Sequence, residues 1–275
     1  MITIKIDFSD FWDGFNKIDN FFYNLLAEYY NVEISENPDV LIYSIFGVSH
    51  LKYNCVKIFF SGENIGPNFN ECNYSMCFDF LDNDNHYRLP LYVLYDGYYQ
   101  LVNKKVNDEL VNRNFCNFLV SNGSNEVRNN FFKKLNNYKK VDSGGLFLNN
   151  IGYKVSNKLD FQSKYKFSIA YENNSYRSSR TGYTTEKIMQ PMIVNSIPIY
   201  WGNELIHKDF NTKSFINFYD FKDEDEMIEY IIYLDQNDNK YLEMLNNPWF
   251  IDNKIPDFNK KENIFKFFEK IIKSI

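Results

Sequence analysis

Short, uninterrupted apolar runs recur along the chain, separated by stretches with helical spacing of apolar positions. Residues 2–8 (ITIKIDF), 40–45 and 56–60 (VKIFF) read as strands, and their lack of polar alternation suits a parallel sheet covered on both faces. Between the first two, residues 15–30 place Ile18, Phe21, Phe22, Leu25 and Leu26 on one helical face. An apolar run over 91–99 gives way to a polar stretch, residues 102–114, which reads as a linker.

The rhythm then restarts. A strand over 115–120 ends in the turn SNGS, and a helix over 125–135 follows with Ser124 or Asn125 as its N-cap. After the Gly144–Gly145 turn come a short helix near 158–164, a strand over 167–171, a helix over 184–194, and strands over 197–201 and 214–219. Helices over 223–234, 239–245 and 261–275 close the chain; the last is amphipathic (ENIFKFFEKIIKSI), which suits core packing better than membrane docking. The pattern predicts an α/β protein of two α/β layers facing a cleft around that linker. One spans residues 1–105 and the other 106–275, with the terminal helix packing back on the first.

Composition narrows the function classes. The 275 residues include 27 Phe and 22 Tyr, so the chain is far from a disordered composition. The net charge of -6 disfavours a general nucleic-acid binder, and affinity for an anion would have to rest on a few local cations. Cys55, Cys72, Cys77 and Cys116 have no C-x-x-C spacing, which points to free thiols in a reducing compartment. With no secretory signal pattern and no apolar stretch long enough to span a bilayer, the expected location is cytoplasmic. His50, His86 and His207 are not paired at metal-ligand spacing.

The densest chemical signal lies in FSIAYENNSYRSSRTGYTTEKIMQPMIVNSIPIYWGN (167–203). A buried strand delivers Tyr171, Glu172 and Asn173 to its C-terminal end, where open α/β sheets bind ligands. Thr184 or Thr185 caps the next helix, Glu186 sits in its first turn, and the free N–H groups there, with Lys187, could receive a phosphate.

YEN…GYTTEKI…NSIPIYWG resembles the donor-binding signature of the α-1,3/1,4-fucosyltransferases, glycosyltransferase family 10. FFSGENIGPNFNECNYSMCFDFLD (59–82), LPLY (89–92), SNGSNEVRNNFFKKL (121–135), IGYKV (151–155) and KDFNTKSFINFYDF (208–221) extend the likeness over most of the chain from about Val56. It implies a GT-B fold of two Rossmann-like domains and inverting, metal-independent transfer of L-fucose from GDP-β-L-fucose to a sugar hydroxyl, commonly the 3-OH of N-acetylglucosamine. No cofactor beyond the donor substrate is implied. The resemblance assigns Glu63 as general base and Arg128 and Lys187 as holders of the diphosphate. It makes Glu186 a ribose ligand, and Asn173 and Tyr183 further donor contacts.

Such roles fit the chemistry: fixed cations can stabilise the departing diphosphate in place of a metal. The chain departs from the family pattern in a donor loop a few residues longer between Asn173 and Tyr183, which adds Arg177 and Arg180. Acceptor contacts are expected from the N-terminal residues and the loops after Phe46 and Pro67. Two alternatives remain at this level. A metal-dependent GT-A transferase would use Asp82-x-Asp84 or Asp223-x-Asp225, and the chain could instead be a non-catalytic sugar- or nucleotide-binding module.

Overall fold

A computed structural model describes residues 2–95, 97–173 and 181–275. The chain divides into two compact units, Met1–Leu94 with Pro256–Ile275, and Tyr95–Ile255. The boundary thus falls ahead of the polar 102–114 stretch. Tyr98 and Leu101 are buried, and a Cβ on Gly97 would collide with Ile193 Cδ1, so residues 97–101 are packed into the second unit.

The first unit is a six-stranded parallel sheet built from β1 (Thr3–Ser9), β2 (Asn31–Ile34), β3 (Val40–Tyr43), β4 (Val56–Phe60), β5 (Tyr74–Cys77) and β6 (His86–Arg88). Their order is β2-β1-β3-β4-β5-β6. The helix expected over 15–30 is shorter, α1 (Phe21–Ala27). Asn20 sets its start by accepting hydrogen bonds from the N–H groups of Phe22 and Tyr23. Ahead of it the rings of Phe11 and Phe15 stack at 4.0 Å instead of continuing the helix.

The C-terminal helix of the chain belongs to this unit and buries Ile264, Phe267, Phe268 and Ile271. Its Phe268 packs edge-on against Phe22 of α1, and Phe265 stacks on Tyr29 at 3.7 Å. Each fully buried side chain of this kind contributes about 1.5–3 kcal/mol.

The second unit holds β7 (Asn114–Phe118), β8 (Val141–Ser143), β9 (Tyr165–Tyr171), β10 (Ile197–Trp201) and β11 (Ile216–Asn217), all parallel, in the order β11-β10-β9-β7-β8. Its helices are α2 (Glu126–Tyr138), α3 (Lys158–Gln162), α4 (Glu186–Ile193), α5 (Glu224–Asp235) and α6 (Asp238–Asn246), and the first unit's C-terminal helix is α7 (Lys261–Ile272). Every residue of β9 and β10 is buried, Lys166 and Ser168 of β9 included, as strands covered on both faces require. The strand expected over 214–219 shrinks to the two residues of β11, flanked by 3-10 turns. No helix among the described residues is long and apolar enough to cross a membrane.

Candidate functional site

In the second sheet the chain runs outward from β7 to β8 and then returns to β9 on the other side of β7. The strand order therefore reverses between β7 and β9, the position at which open α/β sheets bind ligands. Asn125, not Ser124, caps α2 there. Its Oδ1 accepts from the Arg128 N–H, while its Nδ2 donates to the carbonyls of Glu172 (3.0 Å) and Asn173 (2.8 Å) at the end of β9. One side chain thus joins the first turn of α2 to the mouth of the neighbouring strand.

Arg128 is 1% exposed. It donates from Nη1 to Asn173 Oδ1 and from Nη2 to the carbonyl of Asn122 (2.6 Å), and its Nε is buried without a partner. Burial pulls its pKa down while Glu172 pulls it up. Arg128 in turn opposes the charge on Lys187, so the two cations share one electrostatic neighbourhood.

Glu172 is the hub of the site. Its fully buried carboxylate accepts the Thr185 N–H at 2.7 Å, the Thr185 hydroxyl at 2.8 Å and the Lys187 ammonium at 3.4 Å. Thr185, rather than Thr184, is the N-cap of α4. A carboxylate from β9 therefore already occupies part of the helix N-terminus that the sequence suggests for a phosphate. Burial raises the Glu172 pKa against the pull of Lys187. On Lys187, burial acts downward but Glu172 and Glu186 outweigh it, and the ammonium is held above its usual range. The Lys187 side chain keeps a quarter of its surface exposed, and Glu186 is half-buried in the same first turn.

Tyr183 is buried just ahead of this turn. Gly182 takes φ +107°, a left-handed conformation favouring glycine, and donates its N–H to Asn203 Oδ1. Asn203 Nδ2 donates to Thr184 Oγ1 and Asp209 Oδ2, closing a small buried network under the loop. Gly202 is required for a different reason: a Cβ there would lie 2.6 Å from Glu172 Cγ and 2.8 Å from the Tyr200 hydroxyl. Asn203 and Asp209 are structural partners that no sequence pattern marked. Arg177 and Arg180 lie outside the described residues.

In the first unit, Glu63 follows β4 on a turn fixed by Ser61, whose hydroxyl donates to the Glu63 carbonyl (2.8 Å) and accepts its N–H (3.1 Å). The residue is exposed. This sheet reverses order between β1 and β3, and Asp10 sits just past β1 at φ +57°. Asp10 accepts from the N–H groups of Ser49 and His50 and contacts the His50 ring nitrogen Nδ1 at 2.8 Å. Burial pushes the Asp10 carboxyl up, but these bonds outweigh it and hold the pKa below the usual carboxylate range. His50 reaches Glu71 through Nε2 at 3.4 Å, so it ties the loop after Phe46 to the loop after Pro67.

Neither Asp-x-Asp pair is gathered with further ligands. Asp223 caps α5, accepting from Asp225 and Glu226, while Asp82 and Asp84 are exposed, and among the described residues no group of three His, Cys, Asp or Glu side chains could hold a metal ion.

Two parallel-sheet units of this kind are the architecture of the GT-B class of glycosyltransferases, and the solved structures that match carry the assignment. The structure aligns with a solved α1,3-fucosyltransferase at TM-score 0.86 and 31% identity, covering 99% of this chain and 90% of that one. A structure of α1,3-fucosyltransferase with GDP-fucose matches at TM-score 0.84 and 31% identity, over 98% of this chain and 91% of that one. Residues 6–95 match the model of the alpha-(1,3)-fucosyltransferase FucT N-terminal domain, and residues 111–270 match that of the glycosyltransferase family 10 (fucosyltransferase) C-terminal region. The chain belongs to glycosyltransferase family 10, the fucosyltransferases. An alpha-(1,3)-fucosyltransferase FucT of Helicobacter pylori is 36% identical over 288 residues; that match covers 88% of this chain and 59% of the relative's length.

Proposed function

We propose that the chain transfers L-fucose from GDP-β-L-fucose to a glycan hydroxyl with inversion, the acceptor being the 3-OH of N-acetylglucosamine in an N-acetyllactosamine-type sugar. The observation that carries this reading is the match, over 98% of the chain, to an α1,3-fucosyltransferase structure holding GDP-fucose. The cluster at the β7–β9 switch point supports it. Lys187 and Arg128 supply fixed positive charge for the diphosphate, Glu186 takes the ribose hydroxyls, and Asn173 and Tyr183 complete the donor contacts.

In this reading Glu63 takes the proton from the acceptor hydroxyl as its oxygen attacks C1 of fucose. The C1–O bond to the diphosphate breaks with its electron pair leaving on GDP, so one glycosidic bond replaces one glycosyl phosphate bond. The leaving group needs no proton because its charge is met by Lys187 and Arg128, and such preorganised cations act without reorganisation during the reaction. Glu63 suits the base role through its exposure and its fixed backbone. The loops tied by His50 suit the acceptor.

Incubation with GDP-fucose and type 1 and type 2 disaccharides, read by mass spectrometry with and without EDTA, tests the reading. Fucosylated type 2 product that survives EDTA is expected. No product with any acceptor, product only from another sugar nucleotide, or a strict metal requirement would overturn it.

A further inference from the structure

A cavity of about 610 Å³ opens at the β11 edge of the second unit's sheet, lined from β11, α5, α6 and the turn Thr212–Ser214. None of its lining residues belongs to the Glu172 cluster. Its size falls within the range of small-molecule sites, about 300–1,000 Å³.

One part of the lining is aromatic. Phe221 and Tyr230 lie 5.4 Å apart, and Tyr230 and Tyr233 stack at 6.2 Å with 28° between their planes. Tyr233 is 46% exposed although it sits on a helix with a buried face. The remaining lining sets paired donors and acceptors among the apolar side chains of Phe215, Ile216, Leu234 and Met244. Asn217 donates from Nδ2 to Asp220 Oδ1 at 3.1 Å while its own Oδ1 is buried with no partner, and Lys240 pairs with Glu243 at 2.6 Å.

The charges select the ligand class. Lys213 and Lys240 balance Asp220 and Glu243, so the lining favours neither an anion such as a nucleotide nor a cation. The mixture of side-chain amides, carboxylates and ammonium groups is poorly suited to a lipid chain. What fits both halves is a neutral polyol whose C–H face packs on an electron-rich ring while its hydroxyls both donate and accept. We propose that this cavity is a carbohydrate site for a neutral pyranose or disaccharide unit, separate from the donor site and independent of the transfer reaction.

Saturation-transfer NMR with galactose, glucose and maltose, neutral sugars without the N-acetylglucosamine of the proposed acceptor, tests it on the full chain, with excess GDP present and GDP-fucose absent. Binding of at least one sugar is expected, and Tyr233→Ala should weaken it about tenfold, the loss of one ring contact. Tyr233→Phe should retain it, which separates a stacking role from a general loss of structure. Transfer to a free disaccharide should be the same in Tyr233→Ala as in the parent. No binding of any of the three sugars at millimolar concentration, or binding unchanged by Tyr233→Ala, would overturn the proposal. Because the readout needs no fucose donor, its failure is distinct from failure of the transferase reading.

Discussion

The ammonium of Lys187 lies 3.4 Å from Oε2 of Glu172, a carboxylate with no exposed surface. The cation assigned to the diphosphate is thus aimed by a residue that need never touch the donor. Replacing Glu172 by Gln keeps the shape but strips the charge, leaving the ammonium without its hydrogen-bonded counter-ion and with only Glu186 nearby. Breaking a buried pair costs about 3 kcal/mol or more. Glu172→Gln should therefore lower the melting temperature and weaken GDP binding together, as read by calorimetry.

The same pair carries a pH signature. Because Lys187 is held above its ordinary value of 10.5, its stabilisation is fully present below that pH and is lost as pH rises through the raised folded value. The stability difference between the parent and Lys187→Met should stay constant from neutral pH to about 10 and narrow above 10.5. A difference that narrows near neutrality would contradict this arrangement.

For the transfer step, Glu63→Gln should retain GDP affinity while the rate falls about 10²–10⁴-fold, the range for a lost general base. Full transfer by that variant would remove Glu63 from the role. Lys187→Ala should do the reverse of Glu63→Gln on binding. Loss of one hydrogen bond to a charged group, about 1.5–3 kcal/mol, corresponds to roughly 10–100-fold weaker GDP binding by titration calorimetry.

Lys104 offers a stability test remote from the chemistry. Its ammonium is buried without a hydrogen-bond partner, 3.4 Å from the centre of the Trp249 ring, and burial lowers its pKa to about 7. Between about 7 and 10.5 the unfolded chain holds a proton that the folded chain does not, so stability rises with pH across that window. Lys104→Met should add about 2–4 kcal/mol at pH 6, and the gain should vanish near pH 10.5. Urea melts at several pH values measure it.

Gly202→Ala should both destabilise the chain and weaken GDP binding, because the new Cβ would displace the Glu172 side chain. Denaturation and GDP titration of one preparation would show the two effects moving together.

The buried runs that became β9 and β10 were legible because strands covered on both faces leave no polar alternation to confuse them. The residues gathered at the switch point were legible through the family signature, and the cap of α4 was narrowed to Thr184 or Thr185 by the acidic first turn that follows. The edge strands of the first sheet were not. β2 alternates between exposed and half-buried positions, and β6 is three half-buried residues, so neither carries an apolar run. What Asn203, and Asn125 beyond its capping role, hold in place was hidden for another reason. Their work is hydrogen bonding across residues far apart in sequence, from α2 to the end of β9 and from the loop after β10 to Gly182, and no local pattern encodes such a partner. Glu172 stood in view at the end of its strand, but its burial under α4 depends on Gly202, thirty positions later.

Helix α7 lies at the far end of the chain yet supplies Phe268 and Phe265 to the core beside α1. During synthesis the second unit, one continuous segment from Tyr95 to Ile255, can close as soon as it emerges. The sheet made first must wait, with the face of α1 uncovered, until residues 256–275 leave the ribosome. The order of translation and the order of completion are therefore opposite, and the earliest strands are the ones most in need of protection while the chain grows.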